Sequence, residues 1–334
     1  MFNQNPTKHV TVLVLGETAR SQSFSLNGYH KPTNQFTEKL GVASFKNVSS
    51  CGTATAVSVP CMFSRLDKEN YDKRLANAQQ NVVDIIQLAG ADVLWISNNN
   101  GSCKGVCNRI KSIQIPTKKS DPLCDGEYCF DEVLLRPLKQ KLATLTYEDT
   151  LIVLHMIGSH GPTYYKRYPD KNRIFIPDCQ RSDIQNCSEE ELTNTYDNTI
   201  AYTDFVLAKV IGELNTLSKF KNVETSMIYI SDHGESLGES GIFLHGLPYA
   251  FAPREQTHVP LIYWADPSHQ SNRVDCANKF RNKKISHDNI FDFLLGEMSV
   301  DSTIFKMQNN PLNQCERAGS LAQTVNINAK NGAN

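Results

Sequence analysis

Five short apolar runs, at residues 10–15, 93–97, 151–156, 227–231 and 259–264, stand out along an otherwise polar chain. Their apolarity is continuous rather than alternating, which suits strands buried on both faces, as in a parallel sheet. Three segments between them, 81–89, 131–142 and 189–214, are predicted as helices. The last sets Tyr196, Ile200, Phe205 and Val210 among polar residues, an amphipathic pattern. Strands alternating with helices predict an α/β helix–sheet–helix sandwich. Segments 111–128 and 164–188 are rich in Pro, Lys, Asp and Asn and read as long surface loops. The tail at 318–334 has few large apolar residues, Leu321, Val325 and Ile327, and is expected to fray.

Composition narrows the classes. A chain of 334 residues buries a sizeable core and suits one domain. Hydrophobic residues at 40% and charged residues at 21% are ordinary for a soluble globular protein. A net charge of -1 without a long Lys/Arg block argues against nucleic acid as a partner, while leaving room for a local basic pocket. No apolar run approaches the roughly 18 residues of a membrane-spanning helix, and the first nine residues have no apolar signal core.

The ten cysteines change this picture. Eight fall into close pairs, Cys51 with Cys61, Cys103 with Cys107, Cys124 with Cys129 and Cys179 with Cys187, leaving Cys276 and Cys315. Close cysteines serve zinc sites or disulfides. Unequal spacings, with Gly, Asn and Asp around several of them, favour disulfides and hence an oxidising compartment. An oxidised domain without its own export signal is expected to be a fragment of a longer chain, with the missing part before Met1.

Ligands in open α/β sheets bind beyond the carboxyl ends of the strands. Here four such exits carry polar chemistry: Gly16-Glu17-Thr18, Asn98-Asn99-Asn100, Gly158-Ser159-His160-Gly161 and Asp232-His233-Gly234-Glu235. Asp232 and His233 are N and O donors of the kind zinc accepts, and Glu17 offers a third. The plainer reading is a capping aspartate and a surface histidine. The run from Cys51 to Ser58 places small and hydroxyl residues before an apolar stretch. A hydroxyl there would sit at a helix N-terminus, where backbone N–H groups favour phosphate; the alternative is an ordinary Ser/Thr cap. His160 and His245 could hydrogen-bond a phosphoryl oxygen or leaving group, or bind a second metal. Lys104 could neutralise phosphate charge. His258 and His287 are weaker candidates.

Together these motifs resemble the lipid A phosphoethanolamine transferases, both the chromosomal and the mobile colistin-resistance enzymes. The segments that carry the resemblance are 12–18, 50–56, 157–162 and 231–239, with 61–64 and 103–107 in support, and it runs from about His9 to Cys315. It implies an alkaline-phosphatase/sulfatase-like sandwich with a mostly parallel central sheet. It further implies a catalytic domain at 9–317, preceded by a linker at 1–8 from an absent membrane domain. The implied zinc ligands are Glu17, Thr55, Asp232 and His233, with Thr55, rather than Thr53, as nucleophile. The implied phosphoethanolamine contacts are Lys104, His160, Glu235, His245 and Asn100, with Asn98 and Asn99 one or two positions away. Phosphatidylethanolamine would be the donor and a lipid A phosphate the acceptor, at the periplasmic face of a bacterial inner membrane, with the protein a monomer. Rivals are a transferase acting on another glycan, a zinc phosphodiesterase, and a metal-stabilised binding domain without turnover. A sulfatase would carry Cys-x-Pro-x-Arg, whereas Cys61-Met62-Phe63-Ser64-Arg65 lacks the proline.

Overall fold

The computed structural model describes residues 8–99, 102–145, 149–221 and 223–315. Among the described residues the strands are β1 (His9–Gly16), β2 (Ala43–Phe45), β3 (Val48–Ser49), β4 (Asp92–Ser97), β5 (Lys111–Gln114), β6 (Thr150–His155), β7 (Glu224–Ser231), β8 (Ser236–Leu237), β9 (Phe243–Leu244), β10 (Leu261–Ala265) and β11 (Ile285–Ser286). The helices are α1 (Thr55–Phe63), α2 (Lys73–Ala78), α3 (Val82–Leu88), α4 (Leu135–Ala143), α5 (Glu189–Lys221), α6 (Arg254–Thr257), α7 (Arg273–Lys279) and α8 (Ile290–Glu297).

Seven strands build the central sheet in the order β2-β10-β7-β1-β6-β4-β5. From β7 through β5 all neighbours are parallel, whereas β10 runs antiparallel to β7 and β2 antiparallel to β10. A strand buried on both faces reads the same in either direction, so the apolar run at 259–264 did not reveal this reversal. The segment predicted as a loop from residue 111 begins with a strand, β5. All four of its side chains are exposed, so no hydrophobic pattern marks it, and its backbone pairing with β4 alone makes it a strand.

Alternation along β1 sends Val12 and Val14 to one face and Leu13 and Leu15 to the other. The first pair packs under α4 and α5, with Leu138, Tyr196 and Val206. The second packs under α1, α3 and α8, with Val59, Ile86 and Phe293. Each such buried aliphatic contributes roughly 1.5–3 kcal/mol, so the sheet that carries the strand exits is held from both sides. Helix α5 continues seven residues past its predicted end at 214. Phe220 there is 83% exposed, so the periodic signal fades while Lys219 and Lys221 suit the helix's negative end. All five expected cysteine pairs are joined as disulfides.

Candidate active site

Parallel β1 and β7 lie side by side with Gly16 opposite Ser231, so Glu17 and Asp232 leave the sheet at one level. Thr18 follows in the left-handed region (φ 58°), which turns its N–H onto Asp232 Oδ1 at 3.0 Å. His233 N donates to the same oxygen at 2.7 Å. Gly158 approaches from β6; a Cβ there would stand 2.6 Å from the Glu17 carbonyl oxygen. Helix α1 begins at Thr55 after an extended Ala54 that offers no side-chain cap; Val57 N donates to Ala54 O at 3.0 Å, while the N–H groups of Thr55 and Ala56 have no acceptor among the described residues.

These elements bring Glu17, Asp232 and His233 together, with ligand atoms within 4.8 Å of one another. His233 Nε2 is 3.2 Å from Glu17 Oε1 and 3.5 Å from Asp232 Oδ2. Thr55 Oγ1 donates toward Glu17, 3.0 Å from each carboxylate oxygen, and lies 3.4 Å from His233 Nε2. Outer partners orient the set. His233 Nδ1 donates to Gly234 O at 2.9 Å, leaving Nε2 free to face the cluster. Asn99 Nδ2 donates to Glu17 Oε2 at 2.7 Å and to Met156 O at 3.0 Å.

The electrostatics of the set are those of a cation site. Burial, and then the charge of Glu17, push Asp232 up to about 7. Burial would raise Glu17 too, but the hydrogen bond and charge of His233 outweigh it and hold that carboxylate well below its usual range. Burial would lower His233, yet Asp232 and Glu17 push it up to about 10. Asp232 Oδ2 is buried without a hydrogen-bond partner. Two buried carboxylates around one imidazole nitrogen, with Asp232 Oδ2 free of any hydrogen bond, form an N and O donor set that fits a small divalent cation such as zinc, which would take the place of the imidazole proton.

A second group lies beside this set. The His245 ring is 4.4 Å from that of His233 and 6.0 Å from that of His160, centre to centre. His245 Nδ1 meets Glu235 Oε2 at 2.7 Å, and Tyr164 donates its hydroxyl to Glu235 Oε1. Glu235 is therefore fully buried with both oxygens engaged. The His160 ring is half-buried and carries no hydrogen bond among the described residues. Lys104, half-buried beside the Cys103–Cys107 disulfide, forms no ion pair among the described residues. Asn100 lies outside the described residues.

Other groups had no signal in the sequence beyond their type. Asn99, Asp131, Tyr164 and Arg167 act here through contacts that only the fold creates. Asp131 accepts from Ile157 N and Gly158 N, both at 2.9 Å, and Arg167 Nε donates to His160 O at 2.7 Å. His287 is scaffold: it is buried, Nδ1 accepts from Cys51 N at 3.1 Å and Nε2 donates to Ser231 O at 3.0 Å. His258 Nε2 likewise donates to Lys46 O at 2.8 Å.

Residues 9–300 match the protein family Sulfatase. The chain is 46% identical over 322 residues to phosphoethanolamine transferase EptA of Escherichia coli (strain K12), covering 95% of this chain and 58% of that protein. It thus spans little more than half the length of that curated relative. In three dimensions it is similar to the soluble domain of lipooligosaccharide phosphoethanolamine transferase A from Neisseria meningitidis, with a TM-score of 0.88 and 39% identity, covering 93% of this chain and 94% of that one. The integral membrane form of that transferase gives a TM-score of 0.90 at 38% identity, with 95% of this chain and 60% of that one covered.

Proposed function

Because this chain belongs to the sulfatase family, in the group of the phosphoethanolamine transferase soluble domains, we propose that it is the catalytic domain of such a transferase, moving phosphoethanolamine from phosphatidylethanolamine to a lipid A phosphate through Thr55. One observation carries the reading: the Thr55 hydroxyl, at the first residue of α1, lies within 3.4 Å of both the buried Glu17 carboxylate and the His233 imidazole. A hydroxyl so placed sits among groups that hold a cation and under open N–H groups that hold phosphate.

Glu17, Asp232, His233 and Thr55 would hold zinc, which when bound lowers the pKa of a hydroxyl and stabilises phosphoryl charge. Thr55 Oγ1, its proton released to solvent, forms the bond to phosphorus as the bond from phosphorus to the diacylglycerol oxygen breaks, and the N–H groups at the start of α1 receive the phosphoryl oxygens. His160 and His245 are the groups placed to protonate the departing oxygen. Glu235, with its oxygens taken by Tyr164 and His245, orients His245 and meets substrate through it. In the second half a lipid A phosphate oxygen attacks the same phosphorus and Thr55 leaves. The product carries an added ammonium group, which weakens electrostatic attraction for cationic polymyxins. The disulfides and the likeness to an integral membrane transferase support a periplasmic site at the inner membrane.

The test is to incubate the zinc-loaded chain with phosphatidylethanolamine and lipid A in mixed micelles and read the lipids by mass spectrometry. Phosphoethanolamine on lipid A, with diacylglycerol formed in equal amount, is expected. Free phosphoethanolamine with unmodified lipid A would make the protein a phosphodiesterase instead.

A further inference from the structure

His160 differs from the two imidazoles beside it. His233 and His245 each have a ring nitrogen fixed, on Gly234 O at 2.9 Å and on Glu235 Oε2 at 2.7 Å. The ring of His160 has no such anchor among the described residues; it meets the edge of the His245 ring at 6.0 Å, centre to centre, and otherwise depends on where its backbone is held.

That backbone is held at both ends by buried charges. Asp131 takes Ile157 N on Oδ1 and Gly158 N on Oδ2, and is itself steadied by Asn98 Nδ2 at 2.8 Å. Ser159 N donates to Glu17 O at 3.0 Å, and His160 N to Ile157 O at 3.2 Å. At the far end Arg167 Nε grips the His160 carbonyl at 2.7 Å while Nη2 donates to Thr163 Oγ1 at 2.9 Å. Asp131 and Arg167 are each 1% exposed, and among the described residues neither forms a salt bridge. Arg167 Cζ lies 4.1 Å from the centre of the Tyr128 ring, and its Nη1 is buried without a hydrogen-bond partner.

Burying a guanidinium without a carboxylate is costly, and an unbranched Met would pack against Tyr128 without that cost. What an apolar side chain could not do is hold the His160 carbonyl. We propose that Arg167 is a positioning residue for His160, with Asp131 fixing the start of the same four-residue turn. This rests on the reading of His160 as a phosphoryl-handling imidazole; the tether itself does not.

Two measurements test it on the zinc-loaded chain. In the side-chain ¹H–¹⁵N spectrum, Arg167→Met shifts or broadens the His160 imidazole, assigned by its loss in His160→Ala, and leaves those of His233 and His245 in place. Unchanged signals from all three would overturn the tether, as would equal disturbance of all three. In turnover, Arg167→Met lowers kcat by about 10- to 100-fold with KM little changed, Arg167→Lys recovers part of it, and Arg167→Met adds nothing in a His160→Ala background. Equal losses in both backgrounds would show that Arg167 acts elsewhere. Should Arg167→Met not fold, Arg167→Lys and Asp131→Asn are read the same way. A wild type without turnover would sink the transferase reading, while the imidazole spectrum would still decide the tether.

Discussion

Two fully buried aspartates, one in α8 and one at the end of β7, are treated in opposite ways. Asp292 receives Arg65 Nη1 at 2.8 Å and Asn309 Nδ2 at 3.0 Å on one oxygen, and Lys306 N at 2.8 Å on the other. Its charge is answered by the chain. Asp232 has two backbone donors on Oδ1, only the His233 imidazole at 3.5 Å from Oδ2, and a second carboxylate competing for that imidazole. Two buried carboxylates sharing one imidazole normally cost stability. In α8 the pairing is complete, whereas at the end of β7 two carboxylates share one imidazole, a surplus of negative charge that suits a cation.

The largest effect expected is on Thr55. Thr55→Ala should cut transfer by about 10³-fold or more, as loss of a covalent nucleophile does, while barely moving the unfolding midpoint. Zinc comes next. At about 1,000 times its dissociation constant it should stabilise the wild type by roughly 4 kcal/mol in denaturant melts, and Asp232→Asn should lose most of that gain. In chelated, metal-free protein the two aspartates should then separate. Asp292→Asn should destabilise by about 3 kcal/mol through a broken buried pair, whereas Asp232→Asn should leave stability level or higher. Equal losses from both substitutions would erase the comparison.

Acid should probe the scaffold beneath the site. Burial pushes His155 down to about 4 and His287 to about 3, from 6.5. Both fold neutral, so the unfolded chain alone takes up their protons as pH falls from 6.5 toward the folded values. Their contribution is complete above 6.5 and is lost below it. Between about pH 7.5 and 5 each should cost about 2 kcal/mol, and His287→Gln should flatten the urea midpoint against pH by its share. The smallest effect is expected at Lys104, where Lys104→Ala should raise KM by about tenfold or less, as for one half-exposed charge facing phosphate.

The cluster at Glu17, Asp232 and His233 was legible because it stands where strands end, and strand ends are marked by a change from apolar to polar residues. Thr55 was harder, since Thr53 and Thr55 share one small-residue run; family resemblance chose between them, and of the two it is Thr55 whose hydroxyl faces Glu17, while Thr53 Oγ1 donates to Leu247 O at 2.6 Å. The exposed edge strand β5 was not legible, because its pairing uses backbone alone. Nor were Asp131 and Arg167, whose partners are main-chain atoms in the 157–160 turn, contacts that leave no periodicity or spacing behind. Asn99 was one of three adjacent asparagines, and only the bend after β4 decides that its amide reaches Glu17.

The claim at the centre is that Thr55 takes the phosphoryl group, and a peptide mass spectrum tests it most directly. Zinc-loaded wild type and Thr55→Ala would be incubated with a water-soluble phosphatidylethanolamine analogue, quenched in acid and digested. Phosphoethanolamine is expected on the peptide containing Thr55, absent from the mutant and removed when lipid A is added before the quench. Donor consumed at the wild-type rate by Thr55→Ala, or the adduct found on another residue, would contradict it.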